Sequence, residues 1–200
     1  MSHDWVRYYT AAGDDARPTL RLALELFEAD ASAPGLAVDL GCGAGRDTAE
    51  LLRRGWRVLA IDGEEEAIRR LRARPDVATA GDRLHTQVST FEDAAWPAAE
   101  LVNASFALPF CPPEAFDALW ERIVRSLPVG GRFSGQLFGD RDEWSGEAEL
   151  TFHTRAQAEA LLGAFELELF DELEQDGQTA VGRPKHWHLF HVVGRKLSGP

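Results

Sequence analysis

The run Val38-Asp39-Leu40-Gly41-Cys42-Gly43-Ala44-Gly45-Arg46 is where chemistry can begin, because an apolar stretch carrying an acid passes directly into alternating glycines. Glycine serves where a backbone must turn sharply and approach a ligand with no Cβ in the way. A second apolar run, Val58-Leu59-Ala60-Ile61, ends in Asp62, at about the 20-residue spacing from the glycines at which an acid receives ribose hydroxyls in a βαβ unit. The combination describes a site for a nucleotide-type cofactor. A dinucleotide fingerprint would need a third small residue for close helix packing, and that place is taken by Arg46, a long cation. This weighs against a nicotinamide oxidoreductase.

Asp39, just before the loop, suits a ligand with a cationic end rather than a pyrophosphate, and S-adenosylmethionine carries both a sulfonium and an ammonium. The run Asp39 to Thr48, with Asp62 behind it, resembles motif I and the ribose acid of the class I S-adenosylmethionine-dependent methyltransferases. The short form Leu-Gly-Cys-Gly-x-Gly-Arg is most similar to their tellurite-resistance (TehB-like) branch. The resemblance extends over nearly all of the chain. It implies a Rossmann-like, doubly wound α/β fold whose seven-stranded sheet has the order 3-2-1-4-5-7-6 with the last strand antiparallel. It also implies backbone contacts to the cofactor from Gly41, Cys42 and Gly43, with Arg46 opening the helix behind them. Asp62 would hold the ribose, Gly63 would lie under the adenine, and Asp39 would act through the loop or on the methionine ammonium. After the third strand the family commonly has an acid facing the adenine amine. Thr90 stands in that place here, with Phe91 and Glu92 beside it to share the contact. Asn103 and Ala104 follow the fourth strand, where a carbonyl meets the methionine portion.

Because the last strand should run against its neighbours, its beginning lies at the cofactor edge, and Lys185-His186-Trp187-His188 then borders the pocket. Strand alternation sends His186 and His188 to one face and Trp187 to the other. Methyl transfer from a sulfonium is an in-line displacement, so the protein has to position the acceptor and exclude water. An alcohol or amine acceptor must lose a proton, for which His186 and Tyr9 are the candidate bases; a thiolate or a chalcogen oxyanion needs none. Tyr8, Phe110, Phe138, Trp144 and Trp187 are the candidate acceptor walls, with Trp5, Tyr8 and Tyr9 as a lid. His188 and His191 are read as hydrogen-bonded structural residues, and His85 and His153 as surface or turn positions. Leu108-Pro109-Phe110 does not resemble the Pro-Pro-Tyr loop of nucleic-acid amino methyltransferases, and metal-ligand spacing is absent.

The elements that must position these residues follow the same order. The first seventeen residues show no helical or strand period, yet are too aromatic for a plain tail. Helices are expected over Pro18–Asp30, Arg46–Arg54, from Glu64, from Pro112-Pro113 and over Arg155–Phe165, where Thr154 and Gln157 form a capping box. Strands are expected up to Leu40, over Trp56–Ile61, Leu84–Ser89, Leu101–Ser105, Arg132–Phe138, Glu166–Leu173 and His186–Val193, the last two flanking an open segment over 175–184. Two hundred residues with 44% hydrophobic content make one domain, 1–200, with 1–17 as its lid segment. A net charge of −12 and the lack of a basic stripe argue against nucleic acid and for a small-molecule substrate. The two cysteines and the absence of an apolar leader or an eighteen-residue apolar span imply a cytoplasmic chain with reduced thiols and no membrane partner. A non-catalytic S-adenosylmethionine-binding partner subunit would show a blocked acceptor pocket. The aromatic and histidine residues around the mouth argue against it.

Overall fold

The computed structural model describes residues 5–197, so the first four residues of the expected lid segment lie outside the described part. Part of that segment is helical: α1 (Trp5–Ala11) forms where no period is evident in the sequence. Trp5, Tyr8 and Tyr9 stand at i, i+3 and i+4 and share a face, but two turns are too few for that spacing to register as a period. Trp5 packs edge-on against Phe110, with ring centroids 4.9 Å apart. In α2 (Pro18–Ala29) the proline suits the first turn, and Leu20, Ala23, Leu24 and Phe27 form the buried face.

Strands and helices then alternate through β1 (Leu36–Leu40), α3 (Arg46–Arg53), β2 (Arg57–Asp62), α4 (Glu65–Ala73), β3 (Leu84–Val88), β4 (Leu101–Ala104), α5 (Pro113–Ser126), β5 (Arg132–Gly139), β6 (Phe152–His153), α6 (Arg155–Leu161), β7 (Phe165–Gln178) and β8 (Pro184–Lys196). The sheet order is β3-β2-β1-β4-β5-β8-β7, parallel through β5, with β8 antiparallel to both β5 and β7. Setting aside the two-residue β6, which pairs with the end of β5 through Phe138 and Phe152, this is the expected order 3-2-1-4-5-7-6. One core cluster joins the sheet to α5, through Phe116, Leu119, Trp120 and Ile123. The other joins it to α2, α3 and α4. No helix among the described residues is long and apolar enough to cross a membrane.

Two expectations change at the C-terminal end. The segment over 175–184 is mostly paired, since the ladder continues through Gln175 with Trp187, Asp176 with His186 and Gln178 with Pro184. Beyond Leu173 the hairpin leaves the helix layer, so no apolar alternation marks it as strand. The last helix ends at Leu161 rather than Phe165, because the chain turns at Gly163 and Phe165 already opens β7.

Candidate active site

The loop after β1 takes Gly41, Gly43 and Gly45 through the left-handed region, with φ of +69°, +54° and +85°. A Cβ on Gly41 would overlap Ala107, and one on Gly45 would overlap Leu71, whereas a Cβ on Gly43 would sit 3.5 Å from the Tyr9 ring. The Gly43 N–H donates to one carboxylate oxygen of Asp62 at 2.8 Å, and the Glu64 N–H donates to the other at 2.9 Å. Asp62 therefore fixes the loop while lining neither of the two cavities below, and burial raises its carboxyl above the usual range.

Beneath the loop lies a closed polar network. The Thr48 hydroxyl donates to Asp39 at 2.5 Å, and the Asn103 amide donates to Asp39 at 2.9 Å and to Asp47 at 3.0 Å. The hydroxyls of Ser134 and Ser105 donate to Asn103 Oδ1 at 2.8 and 3.1 Å. Arg17 closes the set with its backbone N–H on Asp47, at 2.8 Å. Burial, and then the neighbouring Asp47 charge, push the Asp39 carboxyl up to about 7. A cleft of about 220 Å³ sits above this network, lined by Tyr8, Tyr9, Arg17, Asp39, the loop from Gly41 to Ala44, Arg46, Arg70, Arg74 and Ser105.

A second, larger cavity of about 650 Å³ opens between α1, the loop after β4, the end of β5 and the β7–β8 hairpin. Its walls include Trp5, Tyr8, Phe106, Phe110, Phe138, Trp144, Trp187, Leu189 and His191. Tyr8 and Arg17 line both cavities. The Arg17 guanidinium donates to the Tyr8 hydroxyl at 3.3 Å and lies 4.5 Å from the Phe106 ring centroid. Phe106 itself is held at φ +53°, rare for a residue with a side chain, by its N–H donating to Gln136 at 2.8 Å. Behind the aromatic wall, the buried Lys185 ammonium pairs with buried Asp142 and lies 4.1 Å from the Trp187 ring and 4.2 Å from the Trp144 ring. That pair ties the turn end of the hairpin to the loop after β5.

The anticipated residues divide clearly. Gly41, Cys42, Gly43, Arg46 and Asp39 line the cleft, and Tyr8, Phe110, Phe138, Trp144 and Trp187 line the cavity. Gly63 follows Asp62 at the end of β2, with Ser89 O 3.9 Å from where its Cβ would stand. Thr90, Phe91 and Glu92 line neither cavity; the backbone oxygens of Phe91 and Glu92 accept from Arg122, and the Phe91 ring packs toward Gly41. Asn103 and Ala104 are fully buried, and Ser105 is the residue that reaches the cleft.

The two candidate bases stand apart. His186 turns to the opposite face from Trp187, where its Nδ1 meets Asp176 at 2.7 Å and its Nε2 lies 3.5 Å from Glu174; these acids raise its pKa. Tyr9 is buried beside the glycine loop, and burial together with the Asp62 charge drives its phenol pKa upward. His188 is structural as expected, accepting the Arg141 N–H at 3.1 Å and meeting Glu172 at 2.9 Å. His153 is buried against Phe116 rather than at the surface. His191 differs from its structural assignment: it faces the cavity. The period-two rule that separates Trp187 from His186 places Leu189 and His191 on the Trp187 side, so the signal was present in the sequence. Arg17, Phe106 and Ser105 carried no motif and are brought in by the tertiary fold alone.

This fold, with a glycine loop and an acid at the ends of its first two strands, is the one found in solved S-adenosylmethionine-dependent methyltransferases and in TehB. Residues 37–131 match the family described as "Methyltransferase domain". Among curated proteins, carboxy-S-adenosyl-L-methionine synthase of Shewanella amazonensis is 33% identical over 103 residues, which are 49% of this chain and 42% of that protein. The chain thus spans less than half the length of that relative. Among solved structures, TehB from Haemophilus influenzae superposes with a TM-score of 0.73 at 15% identity, covering 88% of this chain and 62% of that one. A Burkholderia thailandensis 1,6-didemethyltoxoflavin-N1-methyltransferase, solved with 1,6-didemethyltoxoflavin and S-adenosylhomocysteine, has a TM-score of 0.60 at 23% identity over 90% of this chain and 79% of its own.

Proposed function

We propose that the protein transfers a methyl group from S-adenosylmethionine to a small organic acceptor held in the aromatic cavity. The observation that carries this reading is the meeting of two unlike cavities at Tyr8 and Arg17. The cleft suits the cofactor by its donor set. The left-handed glycines leave the backbone open to close approach, and Asp62 offers a carboxylate at the ribose position. The arginines Arg17 and Arg46 suit a carboxylate, while buried Asp39 gains its charge most readily against a cation. When bound, S-adenosylmethionine supplies an electrophilic methyl group on a sulfonium.

The protein's work is then positional. Phe110, Phe138, Trp144 and Trp187 exclude water and orient a flat acceptor, and the Lys185–Asp142 pair keeps two of those rings in place. A chalcogen oxyanion would fill only a small part of 650 Å³ and would leave the aromatic walls without a partner, which favours an organic acceptor over chalcogen detoxification. Calorimetry with S-adenosylmethionine, S-adenosylhomocysteine and NAD tests the cofactor, and an acceptor screen by release of S-adenosylhomocysteine tests the transfer. Binding of both sulfur ligands but not NAD, with at least one organic acceptor turned over, is the expected result. Tight NAD binding would overturn the reading, and cofactor binding with no acceptor would turn it toward a binding subunit.

A further inference from the structure

We propose that His191 is the proton acceptor of the site, and that the cavity takes a planar aromatic acceptor whose oxygen or nitrogen must lose a proton as it is methylated. The inference rests on the methyl-transfer reading above and adds to it a base and a substrate class. His191 is the only histidine lining the aromatic cavity among the described residues. Its ring makes no hydrogen bond to any described residue; its packing partner is Phe106, edge-on at 6.3 Å between centroids. Phe106 directly follows Ser105, which lines the cofactor cleft, and it carries the Arg17 guanidinium that borders both cavities. The imidazole therefore lines the aromatic cavity beside Phe106, the ring that carries the Arg17 guanidinium shared with the cleft.

The groups that face it come from β5, β7 and the segment before α2. Burial lowers its pKa below the ordinary histidine value, Asp171 of β7 opposes this, and Arg17 from the segment before α2 acts with burial. Gln136 of β5, its other sheet neighbour, is uncharged and occupied by Phe106 and Thr19. An imidazole in the cavity wall, with no described residue hydrogen-bonded to its ring, is placed to take a proton from an acceptor held there. In the transfer, the acceptor's O–H or N–H proton passes to the imidazole nitrogen, and the acceptor lone pair forms the new bond to the methyl carbon. The carbon–sulfur bond breaks with its electron pair returning to sulfur, and the imidazolium later gives its proton to water.

The test uses a matched pair, 2-naphthol and naphthalene-2-thiol, with the full chain and its His191→Asn variant. The parent should methylate both, while the variant loses about 10²-fold in kcat on the naphthol and stays within a few-fold on the thiol, which reaches the site as thiolate. A second readout does not need turnover. In NMR titrations the His191 ring signal, identified by its loss in the variant, should move to a lower midpoint when 2-naphthol binds, because the hydroxyl donates to the neutral ring; the His186 midpoint should not move. Equal losses on both acceptors, no loss on either, or an unmoved His191 midpoint would overturn the base. Tight S-adenosylhomocysteine binding without binding or turnover of either naphthalene would overturn the acceptor class while leaving methyl transfer standing. Failure to bind S-adenosylhomocysteine would instead remove the reading beneath both.

Discussion

The cleft over the glycine loop and the cavity under the hairpin are neighbours built by opposite means. The cleft is polar and tight, and its floor is wired together: Asp39, Asp47, Asn103, Thr48 and Ser134 hold one another, so the two acids that reach the cleft also have a structural duty. The cavity is wide and aromatic, and its rings are held mainly by packing, with a single buried ion pair behind them. A fully satisfied polar network specifies one geometry and tolerates little change, whereas an apolar wall keeps its character through many substitutions. On the proposed function, the difference teaches that one ligand would be chemically fixed and the other chosen by shape.

Four measurements sharpen that contrast, and the largest effect is expected in the cleft. Asp62→Ala removes a charged acceptor that also holds the Gly43 and Glu64 amides, and should weaken S-adenosylhomocysteine binding by about 1.5–3 kcal/mol by calorimetry. Unchanged affinity in a folded variant would detach Asp62 from the ligand. Trp187→Ala opens the cavity wall and should raise the acceptor KM by about tenfold, with cofactor affinity nearly constant; a matching loss of cofactor affinity would show that the two cavities do not act separately.

Asp39 offers a smaller, pH-dependent effect. Its folded pKa is raised to about 7, so below that value the free protein carries a proton that a cationic ligand would displace. Cofactor affinity should therefore rise a few-fold from about pH 6 to about pH 8, with proton release on the acid side that fades above pH 7. Calorimetry in two buffers of different ionisation enthalpy measures the proton directly, and uptake instead of release would contradict the sign. The smallest effect belongs to His186→Ala. With its ring engaged by Asp176 and Glu174 on the far face, kcat and the pH profile should stay within about twofold of the parent. A loss of several orders would restore His186 as the base and displace His191.

The contrast also explains what could be read from the chain. The cofactor half was legible because its residues are contiguous: a turn that needs positive φ leaves glycines in the sequence, and a strand that ends at a ligand leaves an acid at its tip. The alternation of strands and helices pointed to a doubly wound sheet, and the resemblance carried by the glycine loop supplied its strand order. The acceptor half is assembled from segments far apart, so its aromatic members could be named while the orientation of each was open. His186 and His191 show the cost. Both lie on β8, and choosing between them depended on which face of the strand the hairpin turns to the cavity, which is set by pairing with β5 and not by local composition. Helix α1 escaped notice for a different reason: two turns of aromatic residues are stabilised by what they cover and carry little signal of their own.

The hairpin that walls the acceptor also leaves β7 at the end of the sheet, a long strand with one side unpaired. Such an edge is a template on which a second copy of the same strand could add and begin aggregation. Here Glu166, Glu168, Asp171, Glu172, Glu174 and Asp176 crowd the strand, and a bulge between Leu167 and Leu169 interrupts its ladder. Like charges would face one another across any strand added to it, and the bulge spoils its register. The acidity of this strand and its broken register thus guard against self-assembly.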